Sequence, residues 1–296
     1  MVTLASVVVP AFNAEKTLAE CLNALCNQDC EDAYEIIVVD DGSRDGTQML
    51  AQSFDVRVLG QQNKGAGAAR NAGVAVARGE WIAFTDADCV PSRSWLRSLL
   101  AAGAQSSTST AQCIGAGGRT LGLDSTTDAA QFCDLIGSLD AQRHLSHPKF
   151  PFAPSSNLMY RKSILEHAGG FDERYTSYEA CDLHNRILKA QPGEFVYASR
   201  AVVFHRHRAD WKGFWRQQYS YGKGYAQFVL HHRDECRWTI GDELKEWADI
   251  GRLSLSAWRV PNNERFLYAR GMFVKKLAQR VGFVATQLDR RERARW

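Results

Sequence analysis

Short apolar runs alternate with helical patterns through the first third of the chain. Leu4–Val9, Tyr34–Val39, Val56–Leu59 and Trp81–Phe84 carry almost no charge, and each is bounded by polar or Gly/Pro residues. Runs of this length and flanking predict strands, buried for Leu4–Val9, Tyr34–Val39 and Trp81–Phe84. Between them, Leu18, Leu22 and Leu25 recur at helical spacing over Glu15–Asn27. Asp45-Gly46-Thr47 opens a second helix, and Gly65-Ala66-Gly67-Ala68-Ala69-Arg70-Asn71 begins a small-residue helix reaching about Ala77. Strand–helix alternation predicts an α/β fold: a mostly parallel sheet flanked by helices on both faces.

Polar clusters follow three of these strands: Pro10–Asn13, Asp40–Ser43 and Asp86–Asp88. Ligands of open α/β sheets bind outside the carboxyl ends of the strands, so three such clusters at one end mark a candidate site. The sharpest is Thr85-Asp86-Ala87-Asp88, after the uncharged Trp81–Phe84 run. Two carboxylates one residue apart repel each other and resist desolvation. A hard divalent cation removes both objections. The alternative is a polar turn whose residues open a helix at Ser94.

The middle of the chain is less regular. Thr110–Gly118 reads as a strand and Ala129–His144 as one helix with Phe132, Leu135 and Leu139 on its inner face. Arg161–Ala168 reads as a helix closed by Gly169-Gly170, a C-cap signal. Glu179–Asp182 opens a helix that turns Leu183, Ile187 and Leu188 inward, and Phe195–Val196 and Val202–Phe204 read as two short strands. From Asp210 the pattern is helical and aromatic, interrupted at Gly222 and Gly224, and a last helical stretch spans about Asn263–Arg290. The expected division is therefore a main domain over 1–208 and a helical C-terminal region over 209–296.

Charge sharpens this division. The net charge of +3 is too small to imply nucleic acid. Residues 205–296 hold 19 Lys+Arg against 10 Asp+Glu, or +9, leaving 17 against 23, or −6, for residues 1–204. The basic C-terminal stretch fits a helix packed on the main domain or on a second subunit, or one lying on an anionic membrane surface. The eight cysteines form no CxxC and no zinc-finger spacing, which points to buried thiols in a reducing compartment. No apolar run reaches the ~20 residues of a membrane span, and no signal peptide is evident. The expected location is cytoplasmic.

Six segments in order then resemble family 2 glycosyltransferases: Val8–Asn13, Val38–Ser43, Asn63–Asn71, Thr85–Asp88, Phe152–Arg161 and Gly169–Asp182. The resemblance covers roughly residues 3–230. It implies the A-type glycosyltransferase (GT-A) fold, a nucleotide-sugar donor with UDP as the expected nucleotide, and inverting transfer to an acceptor hydroxyl in glycan or cell-envelope synthesis. Mn²⁺ or Mg²⁺ is the implied cofactor. Pro10, Ala11 and Phe12 would contact the nucleoside. Asp41 would accept a hydrogen bond from the base, the alternative being a cap on the next helix. Arg70 would approach the diphosphate or stand as a solvated helix residue. Asp88 would coordinate the metal and Asp86 would meet the ribose or a metal-bound water. His205, after Val202-Val203-Phe204, would supply another metal ligand, with His207 as understudy.

The pattern departs from the family at the general base. Relatives carry Glu-Asp-x-Asp, whereas this chain has Glu179-Ala180-Cys181-Asp182. Ala180 cannot accept a proton, so Glu179, favoured for its reach, or Asp182 takes the role, or the protein is a catalytically impaired nucleotide-sugar binder. Asn157, Glu173 and Arg216 are weaker acceptor-side or diphosphate candidates. A nucleotidyltransferase is disfavoured, because Pro10–Asn13 lacks a Gly-rich basic phosphate loop, and a dinucleotide oxidoreductase because no GxGxxG follows the first strand. The acceptor implied is an unknown glycan, lipid-linked glycan or protein.

Overall fold

The computed structural model describes residues 4–105, 112–191, 193–236, 239–257 and 264–296. The chain divides into two compact units. The first comprises Met1–Leu123, Leu139–Glu173 and Glu179–Arg206; the second comprises Asp124–Ser138, Arg174–Tyr178 and His207–Trp296. The last passage from the first unit to the second falls after Arg206, and two earlier segments also belong to the helical unit.

The first unit is built on one eight-stranded sheet. Its strands are β1 (Ala5–Ala11), β2 (Tyr34–Asp40), β3 (Arg57–Gly60), β4 (Trp81–Phe84), β5 (Cys89–Pro91), β6 (Cys113–Gly122), β7 (Leu158–Arg161) and β8 (Glu194–His205). The order across the sheet is β3-β2-β1-β4-β7-β6-β8-β5. The β3-β2-β1-β4 half is parallel, as the alternating pattern predicts. Across the whole sheet four of the seven strand pairings are parallel, as expected: β6–β8 is also parallel, while β4–β7, β7–β6 and β8–β5 are antiparallel. Helices α1 (Leu18–Cys26), α2 (Thr47–Gln52), α3 (Ala66–Val76) and α4 (Trp95–Gln105) connect the early strands.

The core lies on both faces of this sheet. Val7, Val9, Leu18, Leu22, Leu25, Trp95 and Met159 cluster on one side, and Val8, Ile37, Phe84, Leu158 and Tyr160 on the other. The period-two split of Val7, Val8 and Val9 is what a strand buried on both faces requires. Each such side chain contributes about 1.5–3 kcal/mol by leaving water.

Pro10 does not break β1, which runs on to Ala11 and pairs Pro10 with Val39. The reason is local. β4 pairs with β1 only as far as Val8–Phe84, so the side on which proline lacks its N–H has no strand to bond. The segment expected as one helix over 129–144 is two, α5 (Asp128–Leu135) and α6 (Ala141–Leu145). Gly137 takes φ 54° between them, and Asp140 caps α6 by accepting from Gln142 N. Leu135 is exposed; Ile136 is the buried residue instead. The strand expected from Thr110 starts at Cys113, and residues 110 and 111 lie outside the described residues. The two short strands expected near 195 and 203 are one continuous β8. Further helices α7 (Lys162–His167) and α8 (Glu179–Ala190) complete the unit.

The second unit is helical: α5, then α9 (Trp211–His231), α10 (Ile240–Ala257), α11 (Glu264–Leu288) and α12 (Arg290–Arg295). Its core gathers Phe132, Phe214 and Trp211, with Phe132 and Phe214 edge to face at 5.6 Å. Gly222 and Gly224 do not interrupt α9. A Cβ on Gly222 would strike the Gln279 carbonyl of α11, and one on Gly282 would strike the Tyr219 carbonyl of α9. These glycines let the two helix backbones approach, which is the requirement the sequence pattern obscures. The basic residues of α11 are partly spent inside the unit, since Lys276 pairs with Glu246 and Asp249 and Arg280 with Glu243. Among the described residues no helix is long and apolar enough to cross a membrane.

Candidate active site

The carboxyl ends of β1, β2 and β4 carry the three polar clusters. β1 lies between the other two, so the clusters share one rim of the first unit. At the end of β1, Pro10 is partly buried, Ala11 is buried and Phe12 is half exposed. Asn13 (φ 48°) donates from its N–H to Ser43 Oγ, and its Oδ1 accepts from Arg44 N. The loops after β1 and β2 are thereby tied together.

Asp41 is buried and does not cap α2. Its Oδ1 accepts from Gln61 Nε2 at 2.7 Å and Lys64 N at 2.8 Å, and its Oδ2 accepts from Gly65 N at 2.8 Å. The carboxylate therefore pins the loop that enters α3. Oδ2 keeps acceptor capacity for one further donor.

Asp86 and Asp88 point into different surroundings. Arg70 on α3 reaches Asp86 Oδ1 with Nη2 at 2.8 Å and Glu179 Oε1 with Nη1 at 2.8 Å. This guanidinium is only 3% exposed, so it is not a solvated helix residue. Its cationic form is favoured on balance: burial opposes the charge, but the fields of Asp86 and then Glu179 outweigh burial and raise its pKa. The ring of Phe171 lies 5.6 Å away. Both terminal nitrogens of Arg70 are thus engaged with carboxylates. Arg70 Nε and Thr85 Oγ1 are buried without a partner among the described residues.

Asp88 sits instead beside β8. Its carbonyl accepts from Arg206 N at 3.0 Å, and its Oδ1 lies 3.5 Å from His205 Nε2. Asp88 and His205, paired in the sequence reading, therefore lie side by side, and a third residue that the sequence did not suggest stands next to them. β5 was unforeseen, and its antiparallel register places Cys89 directly opposite His205. Cys89 Sγ is 3.9 Å from Asp88 Oδ1, and the ligand atoms of Asp88, Cys89 and His205 all lie within 4.8 Å of one another. Burial first, then Asp86, Asp88 and Cys21, push the Cys89 thiol pKa up in the ion-free protein. The eight cysteines form no disulfide with one another.

On α8, Ala180 is buried in the apolar cluster with Leu183. Glu179 is held by Arg70, whereas Asp182 has no exposed surface and accepts from Arg186 Nε at 2.8 Å. Arg186 also donates to the carbonyls of Ala168 and Gly170. Glu173 accepts from Asn71 Nδ2 at 3.0 Å. Asn157 needs a correction as an acceptor-side candidate. It is buried, its Oδ1 accepts from Trp95 Nε1, and its Nδ2 donates to the carbonyls of Arg119 and Ala201, each at 2.9 Å. It stitches α4 to the sheet. In the second unit, His207 faces Asp134 at 3.2 Å, and Arg216 is exposed on α9.

The model of the family described as "Glycosyl transferase family 2" matches residues 6–169. The pre-mycofactocin glycosyltransferase of Mycobacterium tuberculosis is 30% identical over 266 residues, covering 84% of this chain and 54% of that protein. The chain thus spans about half the length of that relative. Glycosyltransferase AglE of Haloferax volcanii is 27% identical over 255 residues, covering 84% of this chain and 81% of that protein. Among solved structures, S. aureus TarS 1–349 in complex with UDP-GlcNAc superposes with a TM-score of 0.55 at 19% identity, covering 96% of this chain and 92% of that one. The mannosyltransferase PcManGT of Pyrobaculum calidifontis, in complex with GDP-Man and Mn²⁺, gives 0.62 at 17% identity, covering 97% and 87%. At these identities the two structures establish the GT-A fold alone.

Proposed function

Because the chain belongs to glycosyltransferase family 2, we propose that it transfers a sugar from a nucleotide diphosphate, preferentially UDP, to an acceptor hydroxyl with inversion. The observation that carries this reading is the split of the Asp86/Asp88 pair between a buried Arg70–Glu179 fork and a His205 neighbour. Such a rim suits a diphosphate on one side and an attacking hydroxyl on the other.

Asp88 and His205 would hold a divalent cation. The carboxylate suits Mn²⁺ or Mg²⁺, and the imidazole beside it favours Mn²⁺ of the two. When bound, the ion supplies charge stabilisation for the departing nucleoside diphosphate. Asp41 accepts the uracil N3–H on its remaining Oδ2 lone pair, and Phe12, half exposed, offers its ring to the base. The buried atoms Arg70 Nε and Thr85 Oγ1 support a polar ligand or water completing this corner.

Glu179 takes the proton of the acceptor hydroxyl. Arg70 is its positioning residue: the ion pair fixes the carboxylate in one orientation. Asp182 supports the α8 entrance through Arg186 rather than meeting substrate. The rate gain comes from orientation and electrostatics. Donor hydrolysis and transfer, measured with Mn²⁺ and with EDTA, test the proposal. It expects turnover only with the ion and a drop on the order of 10²-fold or more in Glu179→Gln. Equal turnover in EDTA would count against it.

Ala180 motivates a second reading, a nucleotide-sugar binder without turnover. Tight donor binding with no hydrolysis in wild type and Glu179→Gln alike would favour that one. The acceptor is a glycan, lipid-linked glycan or protein hydroxyl, and self-association or membrane contact would run through the basic helical unit.

A further inference from the structure

The Asp88 corner contains a sulfur that the sequence motifs leave out. We propose that Cys89 is a third protein ligand of the cation site, making it a mixed oxygen–nitrogen–sulfur site that holds borderline ions such as Zn²⁺ and Co²⁺ more tightly than Mg²⁺. This rests on the reading that Asp88 and His205 hold a divalent ion.

Geometry carries the inference. Cys89 and His205 are directly opposed in the antiparallel β5–β8 pair, so their side chains leave the same face of the sheet side by side. Asp88 precedes Cys89 at the strand's entrance, and its carboxylate folds back over both. A four-coordinate ion with bonds of about 2.0–2.3 Å separates neighbouring ligands by roughly 3.3–3.8 Å. The Asp88–His205 and Asp88–Cys89 separations of 3.5 and 3.9 Å are close to that range. A cysteine buried for packing alone needs only apolar company. This one is fully buried yet shares its corner with a carboxylate and an imidazole.

The chemistry balances without a co-reactant. The thiol releases its proton to solvent, and the electron pair left on sulfur forms the bond to the ion. Thiolate suits Zn²⁺ and Co²⁺ and contributes little to Mg²⁺, which demands oxygen ligands. The consequence is an ion preference set by this chain's own residue rather than by the shared acidic motif.

The test is a Co²⁺ titration of the full chain in the presence of UDP, followed by absorption spectroscopy. Cys26, Cys30 and Cys236, which are at least partly exposed, are first changed to serine so that they add no sulfur signal. The expected spectrum shows visible ligand-field bands and a near-ultraviolet sulfur-to-cobalt charge-transfer band rising together. Cys89→Ser keeps the visible bands, loses the charge-transfer band and weakens Co²⁺ binding on the order of tenfold or more, with Mg²⁺ binding unchanged. Visible bands without charge transfer in the unaltered site overturn sulfur ligation while leaving the Asp88–His205 reading intact. Bands that are the same in Asp88→Asn as in the parent sink both. Should Cys89→Ser fail to fold, X-ray absorption of the Zn²⁺-loaded parent decides: a sulfur at about 2.3 Å supports the proposal, and a shell of nitrogen and oxygen alone overturns it.

Discussion

Asp86 and Asp88 are one residue apart, yet the fold gives them opposite partners. Asp86 meets a buried guanidinium that also grips Glu179, so its charge is neutralised within the protein. Asp88 meets a histidine and a thiol across a short antiparallel strand pair. One side of the motif is an internal scaffold. The other is the side proposed above to receive a cation. Strand alternation would leave two acids separated by a single alanine on one face; it is the turn between β4 and β5, which holds Ala87 and Asp88, that sends them to different partners.

The comparison can be broken in several places. The largest effect is expected at Arg70. Replacing it with methionine leaves Asp86 and Glu179 facing each other without their buried cation. That costs about 3–5 kcal/mol, read as a lower urea midpoint with unchanged m. Asp88→Asn should do the reverse, with stability changing by less than about 1 kcal/mol while metal-dependent kcat falls on the order of 10²–10³. If Asp88→Asn unfolds the chain instead, the two sides are not distinct.

A pH series separates both from the core. Burial depresses the His184 imidazole from 6.5 to about 4. Between those values the unfolded chain binds a proton that the folded chain refuses, so stability falls as the pH drops through that window, by up to about 3 kcal/mol. His184→Gln should flatten this slope, checked by denaturation at pH 7 and pH 4.5. Its site contact is with Tyr160 Oη at 2.5 Å, away from either aspartate. The smallest effect is the most discriminating. A double-mutant cycle should couple Arg70→Met to Asp86→Asn by about 1–2 kcal/mol and to Asp88→Asn by less than about 0.5.

What the sequence revealed of this site follows from how far apart the partners lie along the chain. β1, β2 and β4 were legible because each is an uninterrupted apolar run, and the acids after them stand in short motifs. β5 was not, since a three-residue strand containing proline looks like a loop until β8 arrives to pair with it. Cys89 was missed for the same reason: alone it reads as a core thiol. Arg70 left its role open because its two acids come from β4's exit and from α8. Asn157 suggested a ligand contact because a polar residue in an apolar run usually needs one; its partners are Trp95 and two sheet carbonyls. Gly222 read as a helix break because the backbone it accommodates belongs to α11.

On the proposed function, the Asp88 side of the motif binds a nucleotide diphosphate through a cation. Calorimetric titration of UDP into the full chain, with saturating Mn²⁺ and with EDTA, measures this coupling directly. The account predicts UDP affinity at least about tenfold higher with Mn²⁺, a coupling of about 1.4 kcal/mol or more that Asp88→Asn abolishes. UDP binding of equal strength with and without the ion would contradict it.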